Sequence, residues 1–186
     1  MTTSWSTLIA EIGTCRKCRL CEGRANVVPG EGNPEADLMF IGEGPGQEED
    51  RQGRPFVGRS GELLTRMIHA IGFERSDCYI ANIVKCRPPG NRNPEPDEAE
   101  ACLPYLRMQT ALIRPKVIVL LGKVACRYTL REEIPVTRDH GKWYEKKGVF
   151  LMPTYHPSAL LRDPTKKRDA WEDFQKVRDR LRELTS

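Results

Sequence analysis

Four short apolar runs stand out from an otherwise polar chain: Asp37–Ile41, Tyr79–Val84, Lys116–Leu121 and Val149–Met152. Unbroken apolar runs of four to six residues read as strands buried on both faces, the kind found in a parallel sheet. Between them the period changes to that of helices. Trp5–Ile12 has helical spacing and stops at Gly13. Ser60 is placed to cap a helix whose apolar face is Leu63, Leu64, Met67, Ile68 and Ile71, with Gly72 as its stop. Further helices are predicted from about Asp97 to Ile113, over Lys123–Leu130, and from about Lys166 to Leu184, the last carrying Trp171, Phe174, Val177 and Leu181. The cysteine-bearing segment after Gly13, Val27–Pro34, Gln47–Ser60 and Pro88–Pro96 read as loops. Strands alternating with helices predict an α/β fold, a three-layer αβα sandwich around a four-stranded parallel sheet.

The 186 residues suit one domain, spanning 1–186, with a sizeable core. Apolar residues make up 39% and charged residues 30%, a globular composition with no run near the ~20 residues of a membrane span. The start Met1-Thr2-Thr3-Ser4-Trp5 has neither the basic nor the apolar region of a signal peptide, so a cytoplasmic protein is expected. A formal charge of +4 permits a nucleic-acid partner without arguing for one. The basic cluster Arg162, Lys166, Lys167 and Arg168 suits a solvated helix start and a phosphate contact equally well.

Seven cysteines in a reducing compartment point away from disulfides. Cys15-Arg16-Lys17-Cys18 is a C-x-x-C, Cys21 follows at the same spacing, and Cys86 and Cys102 lie far downstream. Four thiolates suit tetrahedral zinc or an iron–sulfur cluster. Cys78 and Cys126 fall in strand-like and helix-like segments and read as buried thiols.

Chemistry-bearing residues gather at strand ends. Glu43 sits in the glycine turn Gly42-Glu43-Gly44-Pro45-Gly46, Asn82 lies near the end of the second strand, and His156 follows the fourth. In an open parallel sheet that end is where ligands bind. A carboxylate, an amide and an imidazole from separate parts of the chain are thus expected to share one crevice.

These stretches, with Glu49, the loop Arg54-Pro55-Phe56-Val57-Gly58, the run Asn82-Ile83-Val84-Lys85-Cys86-Arg87-Pro88-Pro89 with Asn91-Arg92, and His156-Pro157-Ser158, resemble in order the family 4 uracil-DNA glycosylases of the uracil-DNA glycosylase superfamily. The resemblance runs from Cys15 to about Trp171. It implies a base-excision repair enzyme that flips deoxyuridine out of single- or double-stranded DNA and hydrolyses its N-glycosidic bond. It further implies a 4Fe-4S cluster on Cys15, Cys18, Cys86 and Cys102, pinning the N-terminal segment. Gly42, Glu43 and Gly44 would line the uracil pocket, and Phe56 would stack on the base rather than only plug the core. The Asn82 amide would bond uracil O4 and N3 and reject cytosine, whose edge is reversed there. Glu43 would position water or stabilise the sugar cation, and His156 would donate to O2 of the departing base. Glu49, otherwise a solvated carboxylate, would crowd the C5 position against thymine, and Asn91, otherwise an Asx turn, would be a second pocket residue. Leu160 or Leu161 would fill the gap left by the flipped base. His69 and His140 read as surface or structural. A monomer is expected, and no stretch marks a sliding-clamp contact.

Two rivals are weaker. A relative that traps abasic DNA through histidine needs one after Cys86, where this chain has Arg87-Pro88-Pro89-Gly90-Asn91-Arg92. A metal-stabilised binding module would leave Glu43, Asn82 and His156 idle. The cysteine assignment makes a direct prediction: Cys86→Ser should lose the cluster and much of the stability, and an intact visible chromophore in that variant would overturn the ligand set.

Overall fold

The computed structural model describes residues 3–186. Its sheet holds six strands in the order β1-β3-β2-β4-β6-β5, where β1 is Glu31–Gly32, β2 Leu38–Gly42, β3 Tyr79–Asn82, β4 Val117–Leu121, β5 Tyr144–Lys146 and β6 Val149–Thr154. The four apolar runs supply the parallel centre, β3-β2-β4-β6. The two edges are antiparallel additions to the four-stranded expectation. Both lacked a pattern to betray them. β1 is two residues long within the segment read as loop, and Gly32 holds φ 129 because a Cβ there would collide with the Cys78 carbonyl. β5 is Tyr-Glu-Lys, a polar edge of the kind that discourages further strand pairing.

Side chains alternate across the central strands and so sort the helices into two layers. Met39, Ile41, Ala81, Ile118 and Leu120 face α1 (Trp5–Gly13), α5 (Pro96–Ile113) and α6 (Lys123–Leu130). Leu38, Phe40, Val117, Val119 and Leu121 face α4 (Arg59–Ala70) and α9 (Lys167–Thr185). Shorter helices complete the chain: α2 (Leu20–Gly23), α3 (Gln47–Gln52), α7 (Val136–Asp139) and α8 (Pro157–Arg162). No helix among the described residues is long and apolar enough to cross a membrane.

Several local expectations need correcting: α2 falls in the cysteine segment read as loop, and β3 ends at Asn82 where the apolar run reached Val84. Gln47–Ser60 is not all loop: α3 opens it, with three carboxylates in the first turn, and ends on Gly53 at φ 70. Asp50 is its one buried residue, so no apolar stripe announced the helix. Gly58, not Ser60, is the N-cap of α4. The α5 start is more elaborate than its proline suggests. Glu95 and Glu98 form a reciprocal capping box, and Arg92 forks onto the buried Glu98 carboxylate at 2.7 and 2.9 Å.

Phe174 of α9 is fully buried and stacks on Phe40 of β2, with ring centroids 5.8 Å apart. Phe174→Ala should therefore cost about 3–5 kcal/mol. Guanidinium unfolding checks this; a loss below about 1 kcal/mol would show that the α9 layer does not hang on that contact.

Candidate active site

The parallel strands end in one open groove of about 840 Å³ whose lining includes Glu43, Gly44, Glu49, Phe56, Asn82 and His156. Gly42 and Asn82 are register partners at the ends of β2 and β3. Pairing continues past both ends, through Ile83 N–H to Gly42 O at 2.9 Å and Val84 N–H to Glu43 O at 3.2 Å. A Cβ on Gly42 would stand 2.5 Å from both the Asn82 Oδ1 and the Phe56 ring. Glycine is what lets the amide, the backbone and the aromatic ring meet.

Asn82 is buried, and among the described residues its Oδ1 has no hydrogen-bond partner. A buried acceptor left unpaired costs about 1–3 kcal/mol, so such groups call for an explanation in native structures. Asn82 lies on the groove lining, so its unpaired acceptor sits beside the space a ligand would enter.

His156 is the N-cap of α8, fixed ahead of Pro157. Its Nδ1 accepts the Ser158 N–H at 3.1 Å and lies 2.7 Å from the Ser158 hydroxyl. That bond assigns the neutral tautomer with the proton on Nε2. Burial, helped by the Arg162 charge, pushes the imidazole pKa down to about 4. At neutral pH the ring is thus an uncharged N–H donor. Its centroid lies 5.5 Å from that of Phe56 at a 32° tilt.

Phe56 is a buried non-glycine residue at φ 49, a left-handed conformation that a bulky side chain seldom adopts. Glu49 supports it from below: its Oε1 accepts the Val57 and Gly58 N–H groups at 3.2 and 3.0 Å. Glu49 lies on the groove lining and also braces the loop, a structural part that the sequence did not suggest. Glu43 is half-buried just past the strand end; burial raises its pKa and the nearby Lys123 charge opposes that.

Asn91 lies exposed on the groove rim at φ 57, and its Oδ1 accepts from Arg87 Nε at 2.7 Å. Of the basic cluster, Arg162 and Lys166 reach the groove, whereas Arg168 pairs with Glu172 outside it. Lys123 and Arg92 join them on the lining, and neither was singled out from sequence. The wedge expectation is corrected at Leu160, which is 0% exposed in a cluster with Leu63, Tyr155 and Ala170 and cannot enter a duplex. Leu161, only partly buried, remains. His69 is exposed and paired with Glu74, and His140 is anchored by Asp173 at 2.9 Å, both outside the groove as expected.

On the other side of the β3 end, Cys15, Cys18, Cys21, Cys86 and Cys102 line one small cavity. Lys85 N–H points at Cys102 Sγ and Arg24 Nη1 at Cys86 Sγ, each at 3.3 Å. Sulfurs met by N–H donors suit thiolates bound to a metal centre. Among the described residues no three Cys, His, Asp or Glu side chains close around a point as a single ion would require. Cys78 and Cys126 are buried elsewhere, and burial pushes both thiols up to about 12.

The fold is an α/β sandwich with a groove at the C-terminal ends of its parallel strands, lined by an amide, an imidazole, an aromatic ring and carboxylates. Residues 29–175 match the family model described as the uracil DNA glycosylase superfamily. The chain is 48% identical over 178 residues to the type-4 uracil-DNA glycosylase of Sulfurisphaera tokodaii, covering 91% of this chain and 81% of the relative. It is 44% identical over 182 residues to the type-4 enzyme of Archaeoglobus fulgidus, covering 94% and 92%. Similarity to the type-5 uracil-DNA glycosylase of Thermus thermophilus is lower, 32% over 155 residues, covering 72% and 70%. The chain belongs to the uracil-DNA glycosylase superfamily, in its type-4 branch.

The buried imidazole sets a pH expectation. A histidine whose folded pKa is depressed contributes stability that is complete above its unfolded pKa of ~6.5 and drains away as pH falls toward the folded value. His156 should stay neutral, protonated on Nε2, down to about pH 4. Nitrogen-15 shifts of the labelled ring check this, and titration near pH 6.5 would refute the assignment.

Proposed function

We propose that this protein is a uracil-DNA glycosylase whose reaction runs on Asn82, Phe56, His156 and Glu43. The observation that carries the reading is the unpaired Oδ1 of Asn82, a groove-lining residue beside Gly42. Uracil offers a donor at N3 beside an acceptor at O4, and one side-chain amide answers both. Cytosine would set acceptor against acceptor, which a site built this way rejects strongly.

The deoxyuridine swings out of the stack at a cost of a few kcal/mol, which stacking on Phe56 and the polar contacts offset. As the N-glycosidic bond stretches, negative charge gathers on the base and positive charge on the sugar. The neutral His156 Nε2–H stabilises the first at O2, acting as a preorganised donor and surrendering no proton. Glu43 faces the second and orients the water that completes the hydrolysis, giving free uracil and an abasic site. Glu49 stands near C5, Asn91 closes the rim, and Leu161 takes the wedge position. Lys123, Arg162, Lys166 and Arg92 supply the cations for DNA phosphates.

The thiol cavity suits a 4Fe-4S cluster on Cys15, Cys18, Cys86 and Cys102, supported by the donor set and its N–H···S contacts and by kinship with the type-4 enzymes. Bound there, the cluster would supply four thiolate bonds joining the N-terminal segment, α5 and the loop after β3, a structural part that hydrolysis does not draw on.

The test is excision from a single-stranded oligonucleotide with one deoxyuridine, read by alkaline cleavage, with Asn82→Ala alongside. The wild type should cut and the variant lose about 10²–10³-fold or more in rate, the scale of removing one preorganised contact. Equal activity in both would remove Asn82 from the mechanism, and a wild type inactive on uracil would refute the function.

A further inference from the structure

Phe56 is held in its left-handed turn by a residue that never nears the groove. Arg75, in the 3₁₀ turn Arg75–Asp77 after α4, donates from Nη1 to Phe56 O and from Nη2 to Pro55 O, both at 2.9 Å. Nη1 also reaches Thr65 Oγ1 at 3.1 Å, and Thr65 in turn donates to Gly61 O. The guanidinium is largely buried; desolvation lowers its pKa, and Glu31 at 3.8 Å, itself gripped by Arg54, opposes that only in part. Gly61 completes the grip: a Cβ there would lie 1.9 Å from the Phe56 carbonyl carbon. A glycine in the first turns of a helix costs about 1 kcal/mol relative to alanine, and this one has close backbone approach as its reason.

A bulky residue at positive φ persists only where its surroundings over-determine it, and such strain gathers at ligand clamps. Here the surroundings are contacts on residues 55–58 from three separate residues: Arg75 on two carbonyls, the Gly61 backbone, and the Glu49 carboxylate. Two of those contacts come from one fork, which a lysine cannot reproduce.

We propose that Arg75 is a positioning residue for base recognition: its fork holds the Pro55 and Phe56 carbonyls so that the Phe56 ring stays against the base-binding space between Gly42 and His156. The inference rests on the uracil reading for the identity of the base, but the clamp itself is a claim about this loop. Loss of the fork releases the turn toward ordinary φ, and the ring leaves its place beside His156.

Arg75→Met keeps the aliphatic stem and removes the fork; Arg75→Lys keeps the charge and one donor. Both would be compared with wild type below their melting temperatures. The readouts are kcat and KM on the deoxyuridine oligonucleotide, inhibition by free uracil, and the fluorine NMR signal of para-fluorophenylalanine at Phe56, assigned with Phe56→Leu. In Arg75→Met, free-uracil inhibition should weaken and kcat/KM should fall by about tenfold, the scale of one lost base–aromatic stack, while binding of an abasic-site oligonucleotide holds. The Phe56 resonance should broaden or shift toward its unfolded position, and Arg75→Lys should restore little. Uracil inhibition within twofold of wild type together with an unmoved resonance would overturn the clamp. Should Arg75→Met fail to fold, Thr65→Val, which removes one steering contact, should shift the same resonance in the same direction; no shift overturns the proposal equally. If the wild type does not release uracil, the substrate reading falls, and the resonance alone decides the clamp.

Discussion

The arrangement hangs on one register pair. Parallel pairing of β2 with β3 sets Gly42 opposite Asn82, and the absent side chain on one strand makes room for the amide of the other. The cost is a buried acceptor without a partner, about 1–3 kcal/mol in a fold whose whole stability is of order 5–15. Structure around it is correspondingly firm. The Asn82 carbonyl accepts from Lys85 Nζ at 3.2 Å, and that ammonium is shared with Gln109 Oε1 at 2.7 Å. Gln109 donates onward to Pro29 O and Tyr79 OH. Lys85 is buried to 2% exposure, and desolvation, opposed by the nearby Cys102, pushes its pKa down to about 8. The backbone of Asn82 is satisfied from behind while its side chain is left open in front, which separates folding from recognition within one residue.

The two other walls solve different problems. Phe56 must present a flat face where a regular strand or helix would not, and the solution is a strained turn braced from outside. His156 must donate without carrying charge, and the solution is burial plus an Nδ1 acceptor role that leaves only Nε2–H facing the groove. A cationic imidazole would attract the developing anion more strongly, but charging a group with a pKa near 4 at neutral pH costs about 4 kcal/mol. Fixed neutral polarity costs nothing at the moment of bond cleavage. On the proposed mechanism Glu43 complements this: with the histidine neutral, its carboxylate would be free to answer the positive sugar.

Much of this was legible in the chain because it is written in residues whose physics is local. The apolar runs gave the four central strands, since nothing else buries Val-Ile-Val-Leu-Leu on both faces. Lys123–Leu130 was bounded correctly by Gly122 before it. The glycine turn, the strand-end amide and the Pro-fixed histidine announced themselves by being out of place. What stayed hidden depends on partners distant in sequence. A two-residue strand exists only through its neighbour, and α3 closes on polar contacts instead of an apolar stripe. Leu160 and Leu161 are indistinguishable until α8 is docked, when one falls inward and the other outward. Nothing in the local sequence marks Arg75, because its fork closes on carbonyls some twenty residues away.

The thiol cavity belongs to the same logic. The segment between α1 and β2 buries few apolar side chains, chiefly Leu20, Val28 and Ala36, which is thin support for some two dozen ordered residues whose backbone entropy alone costs about 1 kcal/mol or more each. Metal–thiolate bonds at the proposed cluster site would supply what that core does not. Their placement is economical: Cys86 lies four residues beyond Asn82, and the intervening Lys85 points its amide at Cys102 and its ammonium at the Asn82 carbonyl. On the proposed assignments, fixing Cys86 and Cys102 would also fix the peptide from which the Asn82 amide projects. A cluster with no part in bond cleavage would then still govern how accurately the base is read, because it would anchor the far end of a four-residue lever.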